Sequence, residues 1–345
     1  MSSQSPTTQQ QQAVQRGLAL YRTMARIRAF ENAAEEASRG SVAAFGASLV
    51  ASAVRGPLHL STGQEAVAAG VCANLTLTDL LTSTHRGHGH TIAKGASIER
   101  TMCELFGRAT GFNGGRGGSM HIADFSVGML GANGVVAAGI PIAVGAAHAI
   151  RIRGEARMVC CFFGDGAINR GPFLEGLNWA AIHKLPVLFV CEDNRWSATT
   201  ASDAMTAGEG ALARARAIGV AGDKVDGNDV FAVDAAAAAL VAQVRAGGGP
   251  RMLHAITYRV KGHVSVDLAT YRDGEEVSRA IANDPIPACL ERLAAVGAER
   301  QQLQAIAAEA QQEVVAAVRA AAAAPWPAAS VAYTEIQDTG SGRWT

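Results

Sequence analysis

Four apolar runs, at residues 80–84, 158–163, 187–191 and 252–258, are separated by stretches of helical pattern, and this alternation constrains the fold more than any other feature of the chain. Short apolar runs without polar alternation suit strands covered on both faces. Strand, helix and strand in succession imply parallel neighbours, because a chain returning to the same sheet edge needs a crossover long enough for a helix. The expected fold class is therefore α/β, with a mostly parallel central sheet and helices on both faces.

Each run empties into a polar cluster. The first leads to His85-Arg86-Gly87-His88, the second to Gly164-Asp165-Gly166, the third to Glu192-Asp193-Asn194 and the fourth to Lys261-Gly262-His263. Ligands of open parallel sheets bind beyond the carboxyl ends of the strands, where loops converge and helix N-termini present free N–H groups. Arg86, Asp165, Asn194 and His263 would share that edge. A carboxylate and an amide oxygen suit a hard cation, and arginine and histidine suit phosphate oxygens, so the set fits a magnesium-bound diphosphate.

An aspartate between glycines is more often a turn, and an asparagine after a strand has the same ordinary use. The pairing carries the reading. Asp165 and Asn194 are one crossover apart, with room for a helix at about residues 172–183 and a return strand. Gly164 and Gly166 let the backbone turn and approach a phosphate closely, and the amides of Gly166 and Ala167 lie near the start of the crossover helix.

With 30 basic and 30 acidic side chains, the 345-residue chain offers neither a nucleic-acid surface nor a polybasic membrane patch. Six cysteines without knuckle or framework spacing read as core residues of a reducing compartment. No basic-then-apolar leader opens the sequence, and no segment holds the roughly 18 apolar residues that a membrane span needs. A cytoplasmic protein is expected.

Residues 1–12 are polar and glutamine-rich and read as a disordered tail. Val14, Leu18, Tyr21 and Met24 then give one helical stripe. Residues 40–56, rich in Gly, Ala and Ser, suit either a mobile loop or a small-residue helix. From about 287 to 324 the chain is alanine-rich and helical, stopping at Pro325-Trp326-Pro327, and 331–345 form a tail that could dock on a partner.

Some motifs favour plain structural roles. His88 and His90 lack a third metal ligand and read as hydrogen-bonding loop residues. GGRGGS at 114 lacks the Gly-Lys-Ser/Thr end of a nucleotide loop. Glu175 on the crossover helix reads as a buried or interface hydrogen-bonding group. Gly139, Ala143 and Ala147 make a smooth face that another helix could approach. His59, taken alone, reads as a core histidine.

The stretch GDGAINRGPFLEGLNWAAIHKLPVLFVCEDN (164–194) resembles the thiamine diphosphate motif of the alpha subunit of the first component of 2-oxo acid dehydrogenase complexes. HLSTGQEAVAAGV at 59, STHRGHGHTIAKG at 83, ELFGRATGFNGGRGGSMHIAD at 104, GMLGANGVVAAGIPIAVGAA at 128, KVDGNDVFAV at 224 and TYRVKGHVSVD at 257 are similar to further blocks of that family in the same order. Through THRGHGH, HIAD and GMLGANG the likeness is nearest to acetoin dehydrogenase alpha subunits, with pyruvate dehydrogenase beside it. A branched-chain 2-oxo acid dehydrogenase subunit and a non-catalytic cofactor-binding homologue are the alternatives.

The resemblance implies a thiamine diphosphate-binding domain over residues 13–330, with residues 40–54 as an insertion near the substrate entrance. It implies Mg2+ on the side chains of Asp165 and Asn194 and on the carbonyl of Trp196. It further implies Gly166 and Ala167 at the diphosphate, His85, Arg86 and His263 on the phosphates, and Gly134 and Val136 beside the aminopyrimidine. The resemblance also implies that His59 faces the reacting carbon, with His59 and His263 as the candidates for handling protons. The implied reaction breaks a C–C bond next to a carbonyl, in acetoin or a 2-oxo acid such as pyruvate, and passes the acyl unit to a lipoyl group of an acyltransferase. The glutamate that activates the cofactor lies on a separate beta subunit in this family, which implies an α2β2 heterotetramer.

Three positions depart from the family pattern: His85 and Trp196 stand where tyrosine is usual, and Asp193 where asparagine is. Asp193 is expected to point away from the metal and Trp196 to contribute only backbone, so binding should survive all three.

Overall fold

A computed structural model describes residues 8–39, 53, 54 and 56–334. Along the chain run α1 (Thr8–Arg39), α2 (Glu65–Cys72), β1 (Leu80–Thr82), α3 (His88–Ala93), α4 (Ile98–Leu105), β2 (Met129–Gly131), α5 (Gly139–Ile152), β3 (Val159–Gly164), α6 (Gly171–Ile182) and β4 (Val187–Asp193). A small hairpin, β5 (Trp196–Ser197) and β6 (Thr200–Ala201), precedes α7 (Ser202–Met205), α8 (Ala211–Ala217), β7 (Gly222–Asp226), α9 (Val230–Arg245) and β8 (Arg251–Ile256). Three helices follow: α10 (Gly274–Ala282), α11 (Pro285–Ala295) and α12 (Arg300–Ala323).

Six strands form one sheet in the order β2-β1-β3-β4-β8-β7, and every neighbouring pair is parallel. The pleat explains why the central runs are apolar throughout. Val159, Cys161, Phe163, Val187, Phe189 and Cys191 pack on one face with residues of α5 and α6. Cys160, Phe162, Leu188 and Val190 pack on the other with α2 and α9. Helices α1, α4, α11 and α12 build a third apolar cluster outside that second face.

The four expected strands are all present, but two others escape their pattern. β2 is a three-residue edge. β7, Gly-Asp-Lys-Val-Asp, is polar because it lies at the opposite edge, half-exposed along its length. The expected crossover helix at 172–183 is α6, and the alanine-rich segment is α11 and α12, separated at Gly297, whose φ of 94° favours glycine. α1 already begins at Thr8 within the glutamine-rich stretch, while residues 1–7, 40–52, 55 and 335–345, and with them most of the small-residue segment and the terminal tail, lie outside the described residues.

The smooth face of Gly139, Ala143 and Ala147 is not available to a partner. All three are buried within the chain, with Gly139 against Thr82 at the end of β1 and Ser83 just after it, and the two alanines in the cluster shared with α6 and β3. Small residues are needed there because α5 lies close on its own sheet. Among the described residues no helix is long and apolar enough to cross a membrane.

Candidate active site

The carboxyl ends of β1, β3 and β4 and the run-out of β8 open into one cleft of about 850 Å³, counting its mouth. His85, Arg86, Val136, Asp165, Gly166, Ala167, Asn194, Trp196 and His263 all line it. Gly134 does not; it is exposed at the rim, next to Val135, which does line the wall. His59 sits behind the wall, its ring edge-on to His85 and His263.

Three non-glycine residues at the cleft adopt left-handed backbone, Ala137 at φ 73°, Arg195 at 70° and Ala198 at 49°. Arg195 adjoins the lining residues Asn194 and Trp196. Such conformations cost on the order of 1 kcal/mol each and persist where surrounding structure imposes them, typically at functional sites.

Asp165 stands on the turn after β3, 5% exposed. The Ser202 hydroxyl donates to its Oδ2, and burial raises its pKa. Asn194 follows the end of β4; its Nδ2 donates to Gln64 Oε1 at 3.1 Å, and its Oδ1 accepts from the Trp196 amide at 3.2 Å. The Trp196 indole is turned to Glu276, to which Nε1 donates at 2.9 Å, so this residue offers the site its backbone. A buried carboxylate without a cationic partner among the described residues, an amide oxygen and a carbonyl are a donor set for a hard cation. The residues fit Mg2+. Gly166 must be small, since a Cβ there would lie 2.4 Å from Ser197 Oγ.

The opposite charge gathers beside this set. Arg86, 4% exposed, donates from Nη1 to Leu60 O at 2.8 Å and from Nη2 to His263 O at 2.9 Å. Burial and then Arg259 lower its pKa to about 9. Arg259 is also buried; its Nη2 donates to Ala198 O at 2.8 Å, and its Nε has no partner among the described residues. Burial and then Arg272 bring Arg259 to about 10. Buried guanidiniums lowered by like-charged neighbours, one with an N–H unsatisfied among the described residues, fit an anion with several oxygens. Sequence reasoning passed over Arg259, although it follows β8 only four residues before His263; Gln64 was passed over as well, and Glu192, named in the polar cluster after the third run, was given no site role.

The histidines are held neutral. Burial first and then Arg86 lower His59 to about 3, His85 to about 2 and His263 to about 4. Arg86 Nη2 lies 3.2 Å from His263 Nδ1. Arginine only donates, so Nδ1 accepts and neutral His263 carries its proton on Nε2.

The remaining motifs resolve into structure. His88 and His90 are hydrogen-bonded as expected, but in helix α3 rather than a loop: His88 bridges Glu31 and Ser119, and His90 bridges Ser83 and Glu192. The GGRGGS loop wraps around the buried Glu104, whose carboxylate accepts from the amides of Asn113, Gly115, Gly117 and Gly118 at 2.8–3.0 Å. Those amides are thus unavailable to a nucleotide. Asp193 points away from the metal set and pairs with His254 Nε2 at 3.0 Å. Glu175 is exposed rather than buried, and all six cysteines are buried and free.

Comparison with known proteins gives the same direction. The dehydrogenase E1 component family matches residues 36–330. The chain is 44% identical over 262 residues to the alpha subunit of acetoin:2,6-dichlorophenolindophenol oxidoreductase of Bacillus subtilis, covering 76% of this chain and 75% of the relative. Its counterpart in Cupriavidus necator is 39% identical, with 92% and 93% covered. The pyruvate dehydrogenase E1 component alpha subunit of Rhizobium meliloti is 37% identical, with 92% and 89% covered. On the matched length and on these identities, the chain belongs to the dehydrogenase E1 component family.

Proposed function

We propose that the chain is the alpha subunit of a thiamine diphosphate-dependent E1 component that cleaves the C–C bond beside the carbonyl of acetoin or a 2-oxo acid and delivers the acyl unit to a lipoyl group of an acyltransferase. The observation that carries this reading is one cleft in which the oxygen donors of Asp165 and Asn194 face the same space as the buried guanidiniums of Arg86 and Arg259. A magnesium diphosphate meets both demands at once. A homologue that had lost its chemistry would have no reason to keep both halves of that set.

When bound, thiamine diphosphate supplies a nucleophilic carbon and an acceptor for the electron pair of the broken bond. The protein binds and orients. Asp165, Asn194 and the Trp196 carbonyl hold Mg2+, Arg86 and Arg259 neutralise diphosphate oxygens, and the Gly166 and Ala167 amides border them. His263 donates from Nε2, and His59 backs the wall behind it.

The relatives named as alpha subunits support a beta partner, and we place the assembly as α2β2. Six buried free thiols support a cytoplasmic setting. The test is turnover: the chain co-purified with its beta subunit, supplied with thiamine diphosphate and Mg2+, reduces 2,6-dichlorophenolindophenol with acetoin, pyruvate or a branched 2-oxo acid. Failure with all three would refute the reading.

A further inference from the structure

Gln64 is a buried polar residue of the cleft wall, 2% exposed, and neither capping nor packing explains it. It stands at the N-cap of α2, yet its side chain makes no capping hydrogen bond, and glutamine is not one of the residues favoured there. Its Nε2 is buried without a partner among the described residues. A buried unpaired N–H costs about 1–3 kcal/mol, and a methionine would fill the same space without that cost.

What the side chain does make is a bond to a candidate metal ligand. Gln64 Oε1 accepts from Asn194 Nδ2 at 3.1 Å, across 130 residues of chain. At the other end of the same amide, Asn194 Oδ1 accepts from the Trp196 N–H at 3.2 Å. The two contacts agree on which end is oxygen. Turned over, the Asn194 amide would set its NH2 against the Trp196 N–H and its oxygen against Gln64 Oε1, donor to donor and acceptor to acceptor. Nor can Gln64 turn to satisfy its own Nε2, because that nitrogen would then face Asn194 Nδ2. The orphaned donor is the consequence of holding Asn194 in this orientation.

The orientation matters for a hard cation. An amide oxygen keeps a second lone pair after accepting one hydrogen bond, whereas the NH2 end has none to offer. We propose that Gln64 is a positioning residue of the metal site, holding the Asn194 amide so that its oxygen is available to Mg2+, an inference that rests on the thiamine diphosphate reading above. Trp196 fixes the oxygen end from within the turn after β4. Gln64 fixes the nitrogen end from the start of α2, outside that turn.

The experiment titrates Mg2+ into the assembled enzyme at a fixed concentration of thiamine diphosphate and reads bound cofactor by equilibrium dialysis, beside the Tm of the cofactor-free protein. It compares the wild type, Gln64→Met, Asn194→Asp and the double variant. Gln64→Met should raise the Mg2+ concentration for half-saturation about 10- to 100-fold, the usual effect of losing a group that orients a metal ligand. Its cofactor-free Tm should move little, because the orphaned N–H is removed together with the acceptor. Asn194→Asp has oxygen at both ends, so no orientation is left to fix. Adding Gln64→Met to it should change half-saturation by about 2-fold or less. A general loss of stability is common to both backgrounds and cancels in that comparison. Unchanged Mg2+ dependence in Gln64→Met overturns the proposal and leaves the cofactor reading intact. An equal loss in both backgrounds also overturns it, since packing rather than orientation would then be at work. A wild type that binds thiamine diphosphate no better with Mg2+ than without overturns the two together.

Discussion

Arg259 works through burial. It is 1% exposed, its Nε is unpaired among the described residues, and its neighbours Arg86 and Arg272 carry the same charge, so an incoming diphosphate gains a partner already desolvated. Replacing Arg259 by Ala should weaken thiamine diphosphate binding about 10- to 100-fold, the worth of one charge-assisted hydrogen bond of roughly 1.5–3 kcal/mol, measurable by calorimetry on the assembled enzyme. The same crowding sets a pH dependence. His59, His85 and His263 titrate at about 3, 2 and 4 in the fold, below the ordinary histidine value. Between about pH 6.5 and 4 the unfolded chain therefore binds protons that the folded chain refuses, so stability is lost as pH falls through that window. Thermal unfolding of the cofactor-free protein should show Tm falling across it, and a flat profile would contradict the assignment. Asp165, Asn194, Arg86 and His263 were legible in the sequence because each ends an apolar run. Arg259 and Gln64 were not, because what recruits them is burial and convergence in space, which no local pattern records.

At the scale of elements, the loop from Asn113 to Gly118 is ordered around a single acid. Glu104 is fully buried on α4, and four backbone amides point at its carboxylate. Glu104→Gln keeps the shape but loses the charge and turns donors toward donors. It should cost roughly 1.5–3 kcal/mol, the worth of a hydrogen bond to a charged group, seen as a lower midpoint in denaturant. An unchanged midpoint would mean the loop holds itself. The elements most readable in sequence were those covered on both faces, β3 and β4, whose side chains are apolar for the same reason on each side. β2 and β7 lie at the sheet edges, where half-exposure removes the apolar signal. The smooth stripe on α5 misled for a related reason: small residues mark a close approach without saying whether it is to the chain's own sheet or to a partner.

At the scale of the molecule, the outer faces of α5 and α6 remain apolar. Ile152 and Ile182 are 76% and 65% exposed, and Trp179, held by a hydrogen bond to His148, is 48% exposed. Apolar surface gathered on two packed helices is the kind of face that subunit association covers. Ile182→Asp should leave the chain folded and shift its complex with the beta subunit toward free subunits on size-exclusion chromatography; an undisturbed complex would place the partner elsewhere. The central claim is that this cleft holds a magnesium diphosphate on Asp165. Calorimetric titration of the assembled enzyme with thiamine diphosphate tests it most directly, with and without Mg2+, in the wild type and in Asp165→Ala of matched Tm. Tight binding only with Mg2+, lost in the variant, is the predicted result; metal-independent binding, or unchanged affinity in Asp165→Ala, would contradict it.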